Sequence, residues 1–127
     1  MSQVTTARIE NSAGKGVDVA GLDKIEDTGK NICTAWVRFD GSTTPPTIKD
    51  SFNVDDVVRT DPGNYEINLT VALDNVNYSI NGAGNLNAVV HYPFADTVGK
   101  FNVATIDENG VAENISAVSI QVFGGKD

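Results

Sequence analysis

The chain has 127 residues, enough for one domain that buries roughly two-thirds of its unfolded surface without staples. Its 17 acidic and 9 basic residues give a formal net charge of −8, with the bases scattered singly. That argues against a nucleic-acid partner, which needs a basic patch, and against attraction to an anionic membrane surface.

Residues 1–30 are rich in Gly, Thr and charge and contain no aromatic residue. Met1-Ser2-Gln3-Val4-Thr5-Thr6 lacks the basic and apolar regions of a signal peptide, and every apolar run falls far short of the ~20 residues that span a bilayer. The expectation is synthesis in a cytoplasm without membrane insertion. Val17, Val19, Leu22 and Ile25 form two short apolar patches, each soon followed by Gly, Asp or Thr, so neither sustains a helix. In a disordered tail these four side chains would face water. They point instead to an extended N-terminal arm or stalk, residues 1–30, that packs on another chain ahead of a head domain, residues 31–127.

Residues 32–39 read as the first strand, with Cys33, Ala35, Val37 and Phe39 on one face and Thr34, Trp36 and Arg38 on the other. Both faces carry bulk, so the strand is expected between two packed surfaces. Cys33 is the only cysteine, which excludes an intrachain disulfide, and its neighbours make it a small buried hydrophobe. Asp40-Gly41-Ser42-Thr43 is a turn, and Pro45-Pro46 forbids regular pairing just after it. A second strand spans residues 48–54 with Ile48, Asp50, Phe52 and Val54 on one face; the acid breaks the alternation and predicts a bulge.

Val57 and Val58 lead into Thr60-Asp61-Pro62-Gly63-Asn64, where proline presets φ and glycine supplies the positive φ of a tight reversal. Residues 65–71 alternate most cleanly, with Tyr65, Ile67, Leu69 and Val71 inward. Val76, Tyr78 and Ile80 mark another strand, which Asn81-Gly82-Ala83-Gly84-Asn85 breaks as a loop or hairpin end. Further strands fall at residues 88–94, 100–106 and 115–123, with a hairpin expected at Asp107-Glu108-Asn109-Gly110 from its Asn-Gly pair. No helical period survives. The expected fold is all-β, an antiparallel sandwich of about seven strands, jelly-roll-like, behind the extended arm.

Chemistry is sparse. His91 is the only histidine and lies in an apolar run, the setting of a structural histidine. No nucleophile elbow, phosphate loop or dinucleotide fingerprint occurs, and one Cys with one His cannot build a usual zinc site. Asp55-Asp56 and Asp107-Glu108-Asn109 offer oxygen ligands but not the calcium-loop pattern; solvated charge and turn chemistry explain them as well. The sequons at Asn68, Asn77 and Asn114 lie in or beside strands. The expectation is a protein that is not an enzyme, with no catalytic residue, metal or cofactor.

Ala35-Trp36-Val37-x-Phe39-Asp40-Gly41, then Ile48-x-x-Ser51-Phe52-Asn53-Val54, resembles a domain of bacteriophage tail fibres and related virion proteins. Gly63-x-Tyr65-x-Ile67-x-Leu69-Thr70-x-Ala72-Leu73, Asn77-Tyr78-Ser79-Ile80 and the closing Val118-Ser119-Ile120-Gln121-Val122-Phe123-Gly124 continue the likeness, which covers about residues 31–127. Each motif is loose; their order and spacing are more specific. Two prolines in Thr43-Thr44-Pro45-Pro46-Thr47 depart from the family's loop, which bears on loop conformation and not on the fold.

The resemblance implies a β-rich, usually homotrimeric virion component that binds a receptor or caps a shaft, and it supplies no catalytic residues. It makes another virion protein the expected partner of residues 1–30, and a host-surface glycan or protein a further one. A tail-fibre or tail-tip domain is one expectation. A capsid decoration (cement) or head-fibre protein, held by the arm, is the alternative. A free carbohydrate-binding module is a third; it needs Trp36, Tyr65, Tyr78 or Tyr92 exposed, and Trp36 and Tyr65 are expected in the core. Thirty arm residues span at most about 100 Å when fully extended, too short for a long shaft.

Overall fold

The computed structural model describes residues 31–86, 88–91 and 97–127. The expected arm, with Val17, Val19, Leu22 and Ile25, lies outside the described residues. These form eight strands and no helix: β1 (Cys33–Asp40), β2 (Thr47–Phe52), β3 (Val54–Asp61), β4 (Asn64–Leu69), β5 (Tyr78–Gly84), β6 (Val89–His91), β7 (Lys100–Ile106) and β8 (Val118–Gly124). They pair antiparallel into two four-stranded sheets, ordered β2-β1-β8-β5 and β3-β4-β7-β6.

Alternation decides what each sheet buries. Ala35, Val37 and Phe39 of β1 and Val118, Ile120 and Val122 of β8 turn inward from the first sheet, and Tyr65, Ile67, Leu69, Phe101 and Val103 turn inward from the second. Two ring contacts cross between the sheets: Phe39 meets Tyr65 edge-on at 5.1 Å and Tyr78 meets Phe101 at 6.1 Å. Such pairs contribute about 0.5–1.5 kcal/mol beyond their buried area. The sheets share this one core, a sandwich-like arrangement.

Several sequence expectations need correction. The described residues hold eight strands, because residues 47–61 contain two. Asn53, at φ 56°, ends β2 and starts β3 in the opposite sheet within a single residue. Asparagine is among the few side chains that tolerate this left-handed region. The order is also not that of a jelly roll, where successive strands mostly alternate between sheets; here β1–β2, β3–β4 and β6–β7 are hairpins within one sheet.

The bulge expected in the second strand is present: Arg38 pairs with Asp50 and Phe39 with Ile48, so Lys49 is skipped. Its effect on facing was not anticipated. A one-residue slip inverts every following side chain. Ile48 packs on the core, while Phe52 points outward and is 54% exposed.

The stretch expected as a loop at residues 81–85 is strand through Gly84. A Cβ on Gly82 would lie 2.8 Å from both the Ile120 and Val90 side chains. The glycine therefore permits the close approach of β5 to β6 that closes this edge of the sandwich. The strand expected over residues 88–94 is seen over Val89–His91, and residues 92–96 lie outside the described residues. β4 ends at Leu69, so Val71 leaves the alternation and is 62% exposed.

Strand directions give the sandwich two distinct ends. β1 starts, β2 and β4 finish, and β5 and β7 start at the end where Asn31 enters, which also carries residues 125–127. The opposite, far end carries the β1–β2 loop, the Pro62-Gly63 turn, the β5–β6 connection and residues 107–117.

Candidate functional site

The far end is stitched by its own polar groups. Tyr65, buried in the core, donates its hydroxyl to Gly41 O at 2.9 Å, and Gly41 N donates to Ile115 O at 2.8 Å. Asn114 Oδ1 accepts from Gly63 N at 2.8 Å and lies 3.3 Å from the Tyr65 hydroxyl. Gly63 sits at φ 74°, and a Cβ there would come within 2.5 Å of Glu113 N, so turn and packing both require glycine.

Arg59 reaches from β3 under the β1–β2 loop, donating to Gly41 O at 2.6 Å, to Thr44 Oγ1 at 3.1 Å and to Thr43 O. Asp40 Oδ1 accepts from Ser42 Oγ at 2.5 Å and Ser42 N at 2.8 Å, first the hydroxyl and then the amide holding its carboxyl below the ordinary 3.8. Asp107 Oδ1 accepts from the amides of Asn109 and Val111, at 2.8 and 2.9 Å, so turn chemistry employs this acid. The hairpin expected here is corrected: the turn returns through a single bridge, Ile106 with Ala112, and the chain then crosses to the first sheet, so β7 and β8 do not pair.

The entry end is held differently. Asn53 Nδ2 donates to Thr34 O and Val71 O, both at 3.1 Å, and its Oδ1 accepts from Val71 N at 2.8 Å. One asparagine thus ties β1, the sheet-to-sheet crossover and the exit of β4 together. The Thr34 hydroxyl, buried, donates to Gly124 O at 2.9 Å, and the Tyr78 hydroxyl to Thr97 O at 2.8 Å.

Between these supports lies an open apolar groove of about 440 Å³, walled by Ile32, Cys33, Phe52, Asn53, Val71 and Lys126 among others. The expectation of Cys33 as a buried hydrophobe is corrected. It is half-buried in this wall, its thiol 3.2 Å from Ala35 O. The β1 alternation explains why: inward positions begin at Ala35, after a register shift between Cys33 and Ala35.

The outer face of the first sheet adds a second apolar feature. Trp36 is half-buried on that face, opposite Phe52 on β2 and Gln121 on β8. Phe123, two residues on, is 42% exposed. Facing residues on adjacent strands stand ~4.5–5.5 Å apart at Cβ, so Trp36 and Phe52 are neighbours. Trp36 is therefore not a core residue, whereas Tyr65 is fully buried as expected and Tyr78 is buried as well.

Among the described residues, no three His, Cys, Asp or Glu side chains converge as a metal site would require. No described helix is long and apolar enough to cross a membrane. The backbone of His91 ends β6 opposite Ala104. Asn68 Nδ2 donates to Asp56 Oδ1 at 2.6 Å and Asn114 braces the far end, which gives two of the three sequon asparagines structural roles.

The partner-binding residues expected from the sequence, Val17, Val19, Leu22 and Ile25, lie outside the described residues. The groove itself was missed: Phe52 belongs to it only through the bulge, and Val71 only because β4 stops at Leu69. The single sequence signal was the acid at Asp50 inside an apolar alternation. No family model, curated protein or solved structure matches the chain.

Proposed function

We propose that this chain is a virion attachment protein of the tail-fibre or tail-tip type, a binding module and not an enzyme. Residues 1–30 hold it to another virion protein, and the sandwich stands outward from there. The observation that carries this reading is the polarity of the domain. The chain enters beside an apolar groove, while the loops of the far end are braced on Tyr65, Arg59 and Asn114. A braced loop end facing away from the anchor is suited to touching a host-surface glycan or protein.

The motifs that resemble those of tail-fibre domains support the same reading as frame residues. Ala35, Val37, Phe39, Tyr65, Ile67, Leu69, Ile120 and Val122 are the core, and Asn53 and Gly63 are its corners. The outer face with Trp36, Phe52 and Phe123 is the leftover apolar surface on which a homotrimer would close, and trimeric avidity would multiply weak loop contacts. The reading as a free carbohydrate-binding module loses Tyr65 and Tyr78 to the core and keeps only the half-buried Trp36 among the described candidates.

Sedimentation of the full chain at micromolar concentration should give a trimer; a lone species of about 13.4 kDa would contradict it. Deleting residues 1–30 should abolish association with particles. Retained association by the truncated protein would remove the arm's anchoring role.

A further inference from the structure

We propose that the groove at the entry end seats the chain's own residues 22–25, which fold back so that Leu22 and Ile25 cover Cys33, Phe52 and Val71. The proposal needs only the groove and this segment and does not rest on the virion reading.

Three features select this occupant. The first is reach. Ile32 is part of the groove wall, and only residues 26–31 separate it from Ile25. Six extended residues span at most about 20 Å, and this linker contains Asp27-Thr28-Gly29, residue types that reverse a chain. The second is apolar match. The wall presents Phe52 at 54% and Val71 at 62% exposure, and Leu22 and Ile25 are the apolar side chains of a stretch otherwise made of Asp23, Lys24, Glu26 and Asp27.

The third feature is charge. In a chain of net charge −8, the groove wall carries Lys126 and, among the described residues, no acidic side chain. Lys126 makes a long, 4.0 Å contact with Asp74. Residues 22–27 bring three acids against one lysine, the complement of that rim. Docking here would leave Val17 and Val19 for an external partner and fix the direction in which the rest of the arm departs.

Cys33, the only cysteine, reports directly on the cover. The rate of its reaction with an aromatic disulfide reagent should be measured on the full chain, on L22D/I25D and on a V4D control. Burying two such side chains predicts at least about a tenfold rate increase in L22D/I25D, no change in V4D, and rates independent of protein concentration. Far-UV circular dichroism establishes that the sandwich is intact, and L22S/I25S provides a milder variant with the same expected direction. Equal rates in the wild type and both double variants would overturn the proposal. Protection that vanishes on dilution would overturn it too, by placing a second copy in the groove.

Discussion

At the far end of the sandwich, Tyr65, Asn114 and Arg59 turn their polar groups inward onto loop atoms, and the exposed apolar side chains there, Leu86 and Val111, stand apart on separate loops. At the entry end the same two sheets part around a groove, with Phe52 and Val71 open and one asparagine spanning the gap. At both ends side chains hydrogen-bond to backbone groups of the loops, partners that buried backbone needs in any fold. They differ in where the apolar side chains fall. Core alternation runs out at the far end into turns made of Gly, Pro and Asn. At the entry end a bulge and an early strand stop push two large side chains out of the core.

The contrast predicts unequal sensitivity to substitution. Tyr65→Ala at the braced end removes a fully buried ring, its contact with Phe39 and the Gly41 bond, and should cost about 3–5 kcal/mol in urea unfolding. Asn53→Ala at the entry end should cost about 2–3 kcal/mol: it frees two carbonyls and an amide and places alanine at φ 56°. Asn53→Gly should recover the backbone part of that loss, and equal losses in the two variants would locate the whole effect in the hydrogen bonds.

Tyr65→Phe keeps the ring and deletes the hydroxyl's bond to Gly41 O and its longer contact with Asn114 Oδ1, for an expected loss of about 1 kcal/mol. Phe52→Ser, at a ring 54% exposed apart from the proposed cover of Leu22 and Ile25, should cost about 1 kcal/mol, well short of Tyr65→Ala. A loss there as large as for Tyr65→Ala would mean that the entry end is as closed as the far end.

The smallest expected effect concerns acid. Asp40 has its carboxyl held below 3.8 by the Ser42 hydroxyl and amide. A depressed carboxylate adds stability above its unfolded value and loses it as pH falls through the folded one. Asp40→Asn should therefore flatten the melting temperature slightly between about pH 5 and pH 2. Because water reaches the carboxyl, the change should be small and should shrink in high salt.

Much of the sandwich was legible because its strongest signals are local. The alternation of residues 65–69 is β4, residues 100–106 are β7 to the residue, and the Asp107 turn forms with the side-chain bonds its type favours. Other elements depended on partners distant in sequence. Gly82 reads as a breaker until Val90 and Ile120 are seen against it. Asn53 carries a change of sheet with neither proline nor glycine beside it.

The groove was the least legible part. It needs Ile32, Phe52, Val71 and Lys126, which are far apart in sequence and meet only after both sheets form. Trp36 was placed in the core because both faces of β1 carry bulk, yet Arg38 on the same outer face is exposed, and that face is open.

The polarity of the domain is tested most directly on an intact particle, by immunogold labelling with antibodies raised against residues 31–127 of the full-length protein. Gold at the tail tip is the expected result. Gold spread over the capsid shell would contradict the tail-fibre reading in favour of a decoration protein, and unlabelled particles would contradict a virion role altogether.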